Sequence, residues 1–333
     1  MPMTSRRLAL VAIAARLFCA MAAWAAVLPC GTAARAEDYP NRPIRVIVPT
    51  GAGGAADIGA RLAAEALGRV LGTTVVVENR RNGLSAIETY LAGEPDGYTI
   101  LVAAVGLFAI TPAAKQVSYN VERDFIPIGT IWRSNHMLAV RPSLGVRTLA
   151  DFVAAAKARP AGISIGSTGV GTPSHLTIEL LKREAGIDVI HVPFRGSGES
   201  LPALVSGQID ALVGDVQVVA PQIEAGTGSG IAVAATHRAP SLPEVPTMGE
   251  AGLPGVVAET WFGFVVSAKT PPAIVKRLQA ALVAAHEDPT YLQRLARQGV
   301  SAGEPGPEAF AKLMKADIAK WRPIVVAAGI RMD

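Results

Sequence analysis

From Ile44 onward, short β-branched runs alternate with Ala/Leu-rich amphipathic stretches, which predicts an α/β protein with mainly parallel strands. Ile44 to Pro49 reads as a strand. Asp57 to Leu71 reads as a helix, with Ile58, Leu62, Ala66 and Val70 on one face and Gly72 as its stop. Thr73 to Glu78 is the next strand, and Asp96-Gly97 turns the chain into another from Tyr98 to Ala104. In the second half, Thr148-Leu149-Ala150-Asp151 is a capping-box start for a helix to about Ala158. Strand Ile163 to Ser167, helix Ser174 to Ala185 and strand Val189 to Phe194 follow, with further strands at Asp210 to Val213 and Ile231 to Ala235. Pro240 to Gly255 reads as a long ordered surface segment, and the tail from Pro272 is helical.

Extended segments near Ile131 to Val140 and Ala258 to Val266 join these two α/β units, so the chain crosses from one to the other and back. That topology makes a cleft. A length of 333 residues, half of them apolar and 17% charged, suits two domains with buried cores. The expected division is a first lobe of residues 37–135 and 262–333 and a second lobe of residues 136–261.

The first thirty-six residues read differently. Arg6 and Arg7 precede an Ala/Leu/Val stretch from Leu8 to Leu28, and Ala34-Arg35-Ala36 forms a small-x-small cleavage site, the pattern of an export signal cut near Ala36. The stretch approaches a bilayer span, but Arg16 interrupts it. Ser5-Arg6-Arg7 leaves twin-arginine export open beside the general route. Both cysteines, Cys19 and Cys30, fall in this segment, so an exported product has no thiol, disulfide or cysteine-held metal. Periplasmic residence follows. The segment also carries four of the 31 Lys+Arg and none of the 27 acids, which leaves the rest of the chain neutral. A phosphate-binding surface needs a standing cationic excess, so nucleic acid is not an expected partner.

Two loops carry the candidate chemistry. Pro49-Thr50-Gly51-Ala52-Gly53-Gly54-Ala55-Ala56-Asp57 follows a strand and opens a helix, where glycines permit close approach and unpaired first-turn amides suit an anion. The same residues satisfy a dinucleotide fingerprint, with Glu78 where a ribose-binding acid would stand, so an exported nucleotide-dependent oxidoreductase using Gly51 to Ala56 is the alternative. The second loop, Gly166-Ser167-Thr168-Gly169-Val170-Gly171-Thr172-Pro173-Ser174-His175, again links a strand to a helix and adds hydroxyl donors. It is not a Gly-x-Ser-x-Gly elbow, and no enzyme activity is expected of Ser167. Thr50, Ala52, Gly53, Gly54 and, as a helix-start acid, Asp57 are the first-lobe candidates; Ser167, Thr168, Gly171 and Thr172 are the second-lobe set. Arg195, after another strand, is a candidate cation, and Asp215 follows a strand where cleft ligands meet an open sheet. His175 and Glu179 lie one helical turn apart without a third ligand, so neither metal nor cofactor is expected. Trp261-Phe262 belongs to the second crossing segment and either walls the cleft or packs in the core.

Taken in order, Ile44-Arg45-Val46-Ile47-Val48-Pro49, Gly53-Gly54-x-x-Asp57, Val77-Glu78-Asn79-Arg80, Pro95-Asp96-Gly97-Tyr98-Thr99, Ser174-His175-Leu176, His191-Val192-Pro193-Phe194-Arg195-Gly196 and Glu250-Ala251-Gly252-Leu253-Pro254-Gly255 to Trp261-Phe262-Gly263 resemble the Bug family, exported substrate-binding components of tripartite tricarboxylate transporters. The resemblance implies a monomeric type II Venus-flytrap receptor that closes on a small organic carboxylate and presents it to membrane transporter subunits or to a sensor protein. It implies contacts from both loops and no catalysis. Arg81-Asn82-Gly83-Leu84-Ser85 stands where family members usually carry Pro-Gly-Ala-Gly-Gly. Val105-Gly106-Leu107-Phe108 replaces a usually small polar loop, so Gly106 joins the candidate contacts and Leu107 with Phe108 is expected to form an apolar wall.

Overall fold

The structure, a computed structural model, describes residues 39–330. The expected export segment and both cysteines lie outside the described residues.

Strand β1 (Ile44–Val48) leads into helix α1 (Ala55–Leu71), strand β2 (Val75–Asn79), helix α2 (Gly83–Leu91) and strand β3 (Thr99–Ala104). β1 lies between β2 and β3, parallel to both, with Val46 opposite Val77 on one side and Ile100 on the other. Val46, Ile47 and Val48 of β1 are buried on both faces, which calls for a β-branched run, while β2 at the sheet edge is only partly covered. α1 stops at Gly72, whose left-handed φ of 67° lets its N–H reach the Gly68 carbonyl. The stripe that faces the core is only partly the expected one, since Leu62 and Ala66 are buried but the ends of the stripe are not. Ile58 is only partly covered and Val70 is exposed, while Ala60, Ala63 and Leu67 are fully buried. Small residues win because the helix sits close to the sheet: a side chain at Gly59 would begin 3.1 Å from the Trp132 ring.

The next strand, β4 (Phe125–Val140), runs unbroken for 16 residues. After it come α3 (Leu149–Ala158), β5 (Ser164–Ser167), α4 (Pro173–Ala185), β6 (Ile190–Pro193), α5 (Ser197–Val205), β7 (Ala211–Asp215), α6 (Val216–Glu224) and β8 (Ser229–Val233). β9 (Glu259–Ser267) and helices α7 (Pro272–Ala285), α8 (Pro289–Arg297) and α9 (Pro307–Ala327) complete the order. The strands align as β2-β1-β3-β9-β4-β7-β5-β6, and β8 also pairs with β4. β4 changes partner along its length: Phe125 to Asn135 face β9, and from His136 onward the strand faces β7 and β8. Both expected crossing segments are therefore neighbouring strands of one sheet. The Pro/Gly-rich stretch runs along the surface as expected and is anchored there, because Leu242, Val245 and Met248 are buried and Thr247 bridges to Val233 of β8.

Helix α9 pins the crossing from behind. Trp261 on β9 is fully buried, packs edge-on against Phe310 and donates its indole N–H to Asp317 at 2.6 Å. Core packing, not a cleft wall, is its role.

Candidate functional site

Strand register sets where the two loop systems leave the sheet. The parallel strands β1, β2 and β3 end on one edge, from which the loops at 49–54 and 80–82 and the helical turn that begins at 105 emerge. Ala104, the last residue of β3, pairs with Phe262, and Phe262 pairs with Trp132 of β4. In the other half β5, β6 and β7 are parallel, and Asp215 at the end of β7 pairs with His136 of the same β4. The carboxyl ends of β3 and β7, one in each half, thus flank the stretch Trp132–His136. Ligands of open α/β sheets bind outside such ends, where helix N-termini also point.

The first loop is held open by its own charge network. Gly53 takes φ +82°, a conformation that disfavours any side chain, and nothing stands within 4 Å of where its Cβ would lie. Its N–H donates to Asp57 Oδ2 at 2.9 Å, and Asp57 Oδ1 pairs with Arg61 at 2.9 Å. Arg61 also donates to Asn79 Oδ1, whose amide donates to the Thr50 carbonyl. Burial works against the Asp57 charge, yet the Arg61 pair and the Gly53 N–H together hold its carboxyl below the usual range. Asp57 is therefore an internal buttress, turned away from the open side and 4% exposed. Ile58 N–H is taken by Gly54 C=O, so the Ala55 and Ala56 amides of the first turn have no partner among the described residues. Ala52, Gly53 and Gly54 are exposed, Thr50 is half-buried, and Gly106 likewise has nothing within 4 Å of its Cβ position.

The second loop is more heavily cross-linked. Ser167 is fully buried; its Oγ lies 2.6 Å from His191 Nε2 and accepts the Gly169 N–H at 3.1 Å. Thr172 caps α4 and donates its hydroxyl to the Gly169 carbonyl at 2.7 Å, while Gly171 N–H donates to His175 Nδ1 at 3.0 Å. Thr168 N–H donates to Ser174 Oγ at 3.0 Å, with the Thr168 hydroxyl 2.9 Å from the same oxygen. Ser167, Gly171 and Thr172 thus shape the loop from within, and Thr168, Gly169 and Val170 form its outer surface, with Val170 half exposed. Sequence reasoning weighed His175 only as a metal ligand and met Ser174 and His191 only within motifs, giving none of the three a place in shaping this loop.

Arg195 is exposed; its backbone N–H donates to Glu199, and its guanidinium has no partner among the described residues. Asp215 starts α6 without capping it and stands 3.6 Å from His136. His136 is buried between Thr177 and Thr260, and that burial pushes its pKa down against the pull of Asp215. The expected apolar wall is half lost. Phe108 is fully buried against Tyr119 and Phe125, because the chain after β3 coils into a π-helical turn that swings the ring into the core. Leu107 packs onto Gly83. Glu78, the candidate ribose ligand, is held by Arg80 at 2.9 Å and faces Arg45 at 3.8 Å.

A sheet whose two halves direct their strand ends at a common crossing is the architecture of the two-lobed solute-binding proteins. The sequence model described as the tripartite tricarboxylate transporter family receptor matches residues 59–330, and the chain belongs to that family. A Pseudomonas sp. (strain P51) protein encoded in the tcbD-tcbE intergenic region is 33% identical over 297 residues, 88% of each chain. Protein BugT of Bordetella pertussis is 30% identical over 305 residues, covering 89% of this chain and 92% of BugT. Among solved structures, R. palustris Rpa4515 with adipate superposes with a TM-score of 0.78 at 31% identity, over 88% of this chain and 99% of that one. MatC (Rpa3494) from Rhodopseudomonas palustris with bound malate gives 0.74 at 30% identity, over 86% and 100%. The resemblance read from the motifs is that of the family found.

Proposed function

We propose that the protein is an exported, monomeric receptor that captures a small organic carboxylate between its two lobes and hands it to the membrane subunits of a tripartite tricarboxylate-type transporter. One observation supports the reading: β3 of one half ends beside Phe262 and Trp132, β7 of the other ends at His136, and each half carries a loop rich in open backbone on that side. Two solved relatives of about 30% identity hold adipate and malate, both small dicarboxylates.

In this reading one carboxylate docks on the first-turn amides behind Gly53 and Gly54, beside Thr50, Ala52 and Gly106. Thr168 and the Gly169–Val170 backbone approach from the other lobe, and Arg195 supplies the cation for a second carboxylate. The lobes, residues 37–135 with 262–333 and residues 136–261, close on the ligand, which shifts the population toward one closed shape that the partner recognises. Binding without catalysis is the whole event. The nucleotide alternative loses its ribose ligand, since Glu78 is already engaged by two arginines.

The test is thermal stabilisation of protein stripped of carried-over ligand, against mono-, di- and tricarboxylates. Ligand at a hundred times its Kd contributes about 2.7 kcal/mol to the folded state. Adipate or malate is expected to raise the melting temperature. No rise with any member of the panel overturns the reading, and bound nicotinamide or flavin in the purified protein restores the oxidoreductase.

A further inference from the structure

Beneath the second loop the imidazoles of His175, on α4, and His191, on β6, lie face to face, with centroids 3.8 Å apart and planes within 9°. The parallel β5–β6 register sets His191 beside Ile165, and the first turn of α4 brings His175 back over it. Each ring holds a different end of the loop. His175 Nδ1 accepts the Gly171 N–H at 3.0 Å, which fixes its own proton on Nε2. His191 Nε2 meets Ser167 Oγ at 2.6 Å, and that oxygen in turn takes the Gly169 N–H. The outer loop surface from Thr168 to Val170 is suspended between these two attachments.

We propose that the stacked His175–His191 pair is the positioning device of this loop and keeps it in its ligand-competent form only while both imidazoles are uncharged. The proposal rests on the receptor reading above and names the residues that regulate the same site. A proton on His175 Nδ1 would point at the Gly171 N–H, setting donor against donor. A proton on each ring would set like charges face to face at stacking distance. Among the described residues, the charged groups facing the pair are both on α4: Glu179, 3.9 Å from His175 Nε2, and Lys182, which holds Glu179 at 3.0 Å. Burial pushes both imidazoles down to about 4, with Lys182 adding to the effect on His175 and the neighbouring His175 adding to that on His191. Ligand capture is thereby linked to proton release.

Three substitutions, two of them combined in a double variant, separate positioning from mere structure. His175→Asn and His191→Gln each keep a polar atom where the imidazole nitrogen stood but do not titrate, whereas His175→Leu removes the acceptor for Gly171. The first measurement uses ligand-free protein: the Gly169 and Gly171 amide resonances, followed by NMR from pH 7.5 to 4, are expected to move with the histidine titration in the wild type and to stay still in the double Asn/Gln variant. The second is adipate and malate affinity by calorimetry over the same range, with the ligand's own titration cancelling between proteins. Relative to pH 7.5, the wild type is expected to lose roughly two- to fourfold more affinity at pH 4 than the double variant does. His175→Leu is expected to lose at least about tenfold at pH 7.5 with its cooperative unfolding intact. Amide resonances that ignore the histidines, or wild type and double variant with the same pH profile, overturn the proposal. If neither adipate nor malate binds any protein, the receptor reading fails by itself, and the amide titration still decides whether the pair positions the loop.

Discussion

Asp57 Oδ2 accepts the Gly53 N–H at 2.9 Å, so the shape of the glycine loop is fixed by the protein's own carboxylate before any ligand arrives. The loop is preorganised, and its order depends on a buried charge balanced by Arg61.

Removing that charge tests the arrangement. Asp57→Ala leaves Gly53 N–H and Arg61 without their acceptor and is expected to cost roughly 1.5–3 kcal/mol in urea unfolding, together with much of the carboxylate affinity. The pH sign follows from the lowered folded-state pKa. Stability from Asp57 is present above its ordinary value, near 3.8, and is lost as the pH falls through the lower folded one. Asp57→Asn is therefore expected to flatten the acid limb of the stability curve; an unchanged limb places the acid sensitivity elsewhere.

Neighbouring glycines separate backbone strain from ligand space. Gly53→Ala forces an L side chain into φ +82° and is expected to lose about 1–2 kcal/mol of stability. Gly54 has an ordinary extended backbone, and a Cβ there meets only the Gly51 carbonyl, at 3.9 Å. Gly54→Ala is expected to fold normally and bind at least tenfold more weakly, read as an unchanged melting temperature with a raised Kd.

Arg195 bears on the second charge of the ligand. Arg195→Gln is expected to weaken dicarboxylate binding roughly three- to tenfold at low ionic strength, and less in 0.5 M salt where exposed charges are screened. Affinity for a monocarboxylate stays the same. Equal losses for both ligand types would remove Arg195 from the site.

Behind the crossing, Asp317 is buried and takes the Trp261 indole N–H. Burial raises its pKa against the opposing pull of Lys320, whose own pKa burial lowers. Asp317→Asn retains an acceptor and sheds a buried charge, so it is expected to cost less than Asp317→Leu, which orphans the indole at about 1–3 kcal/mol. Chemical denaturation of the two variants checks the order.

Much of the scaffold was legible because its signals are local. Thr148 and Asp151 form both bonds of the capping box read from four residues, and Gly72 ends α1 where its left-handed backbone was expected. The crossing strands were visible as extended runs at 131–140 and 258–266. Helices α5 and α6 were not, since Pro202 and Pro221 sit inside them and argue locally against helix; both are short and are held by burial of Ala203, Leu204, Val219 and Ala220. The glycine loops announced themselves by composition, but which of their groups face outward depends on partners far along the chain. Nothing local tells that Ser167 turns inward to His191, or that Phe108 leaves the strand pattern for the aromatic cluster.

Asn135 and Glu259 face each other on adjacent antiparallel strands, so the chain departs for the second half and returns from it through neighbouring positions, about 5 Å apart. Everything between them is, topologically, a cassette spliced into a β-hairpin whose natural closure would be a two-residue turn. Grafting or exchanging that cassette between relatives would join the strands at a site where the donor and acceptor ends already meet.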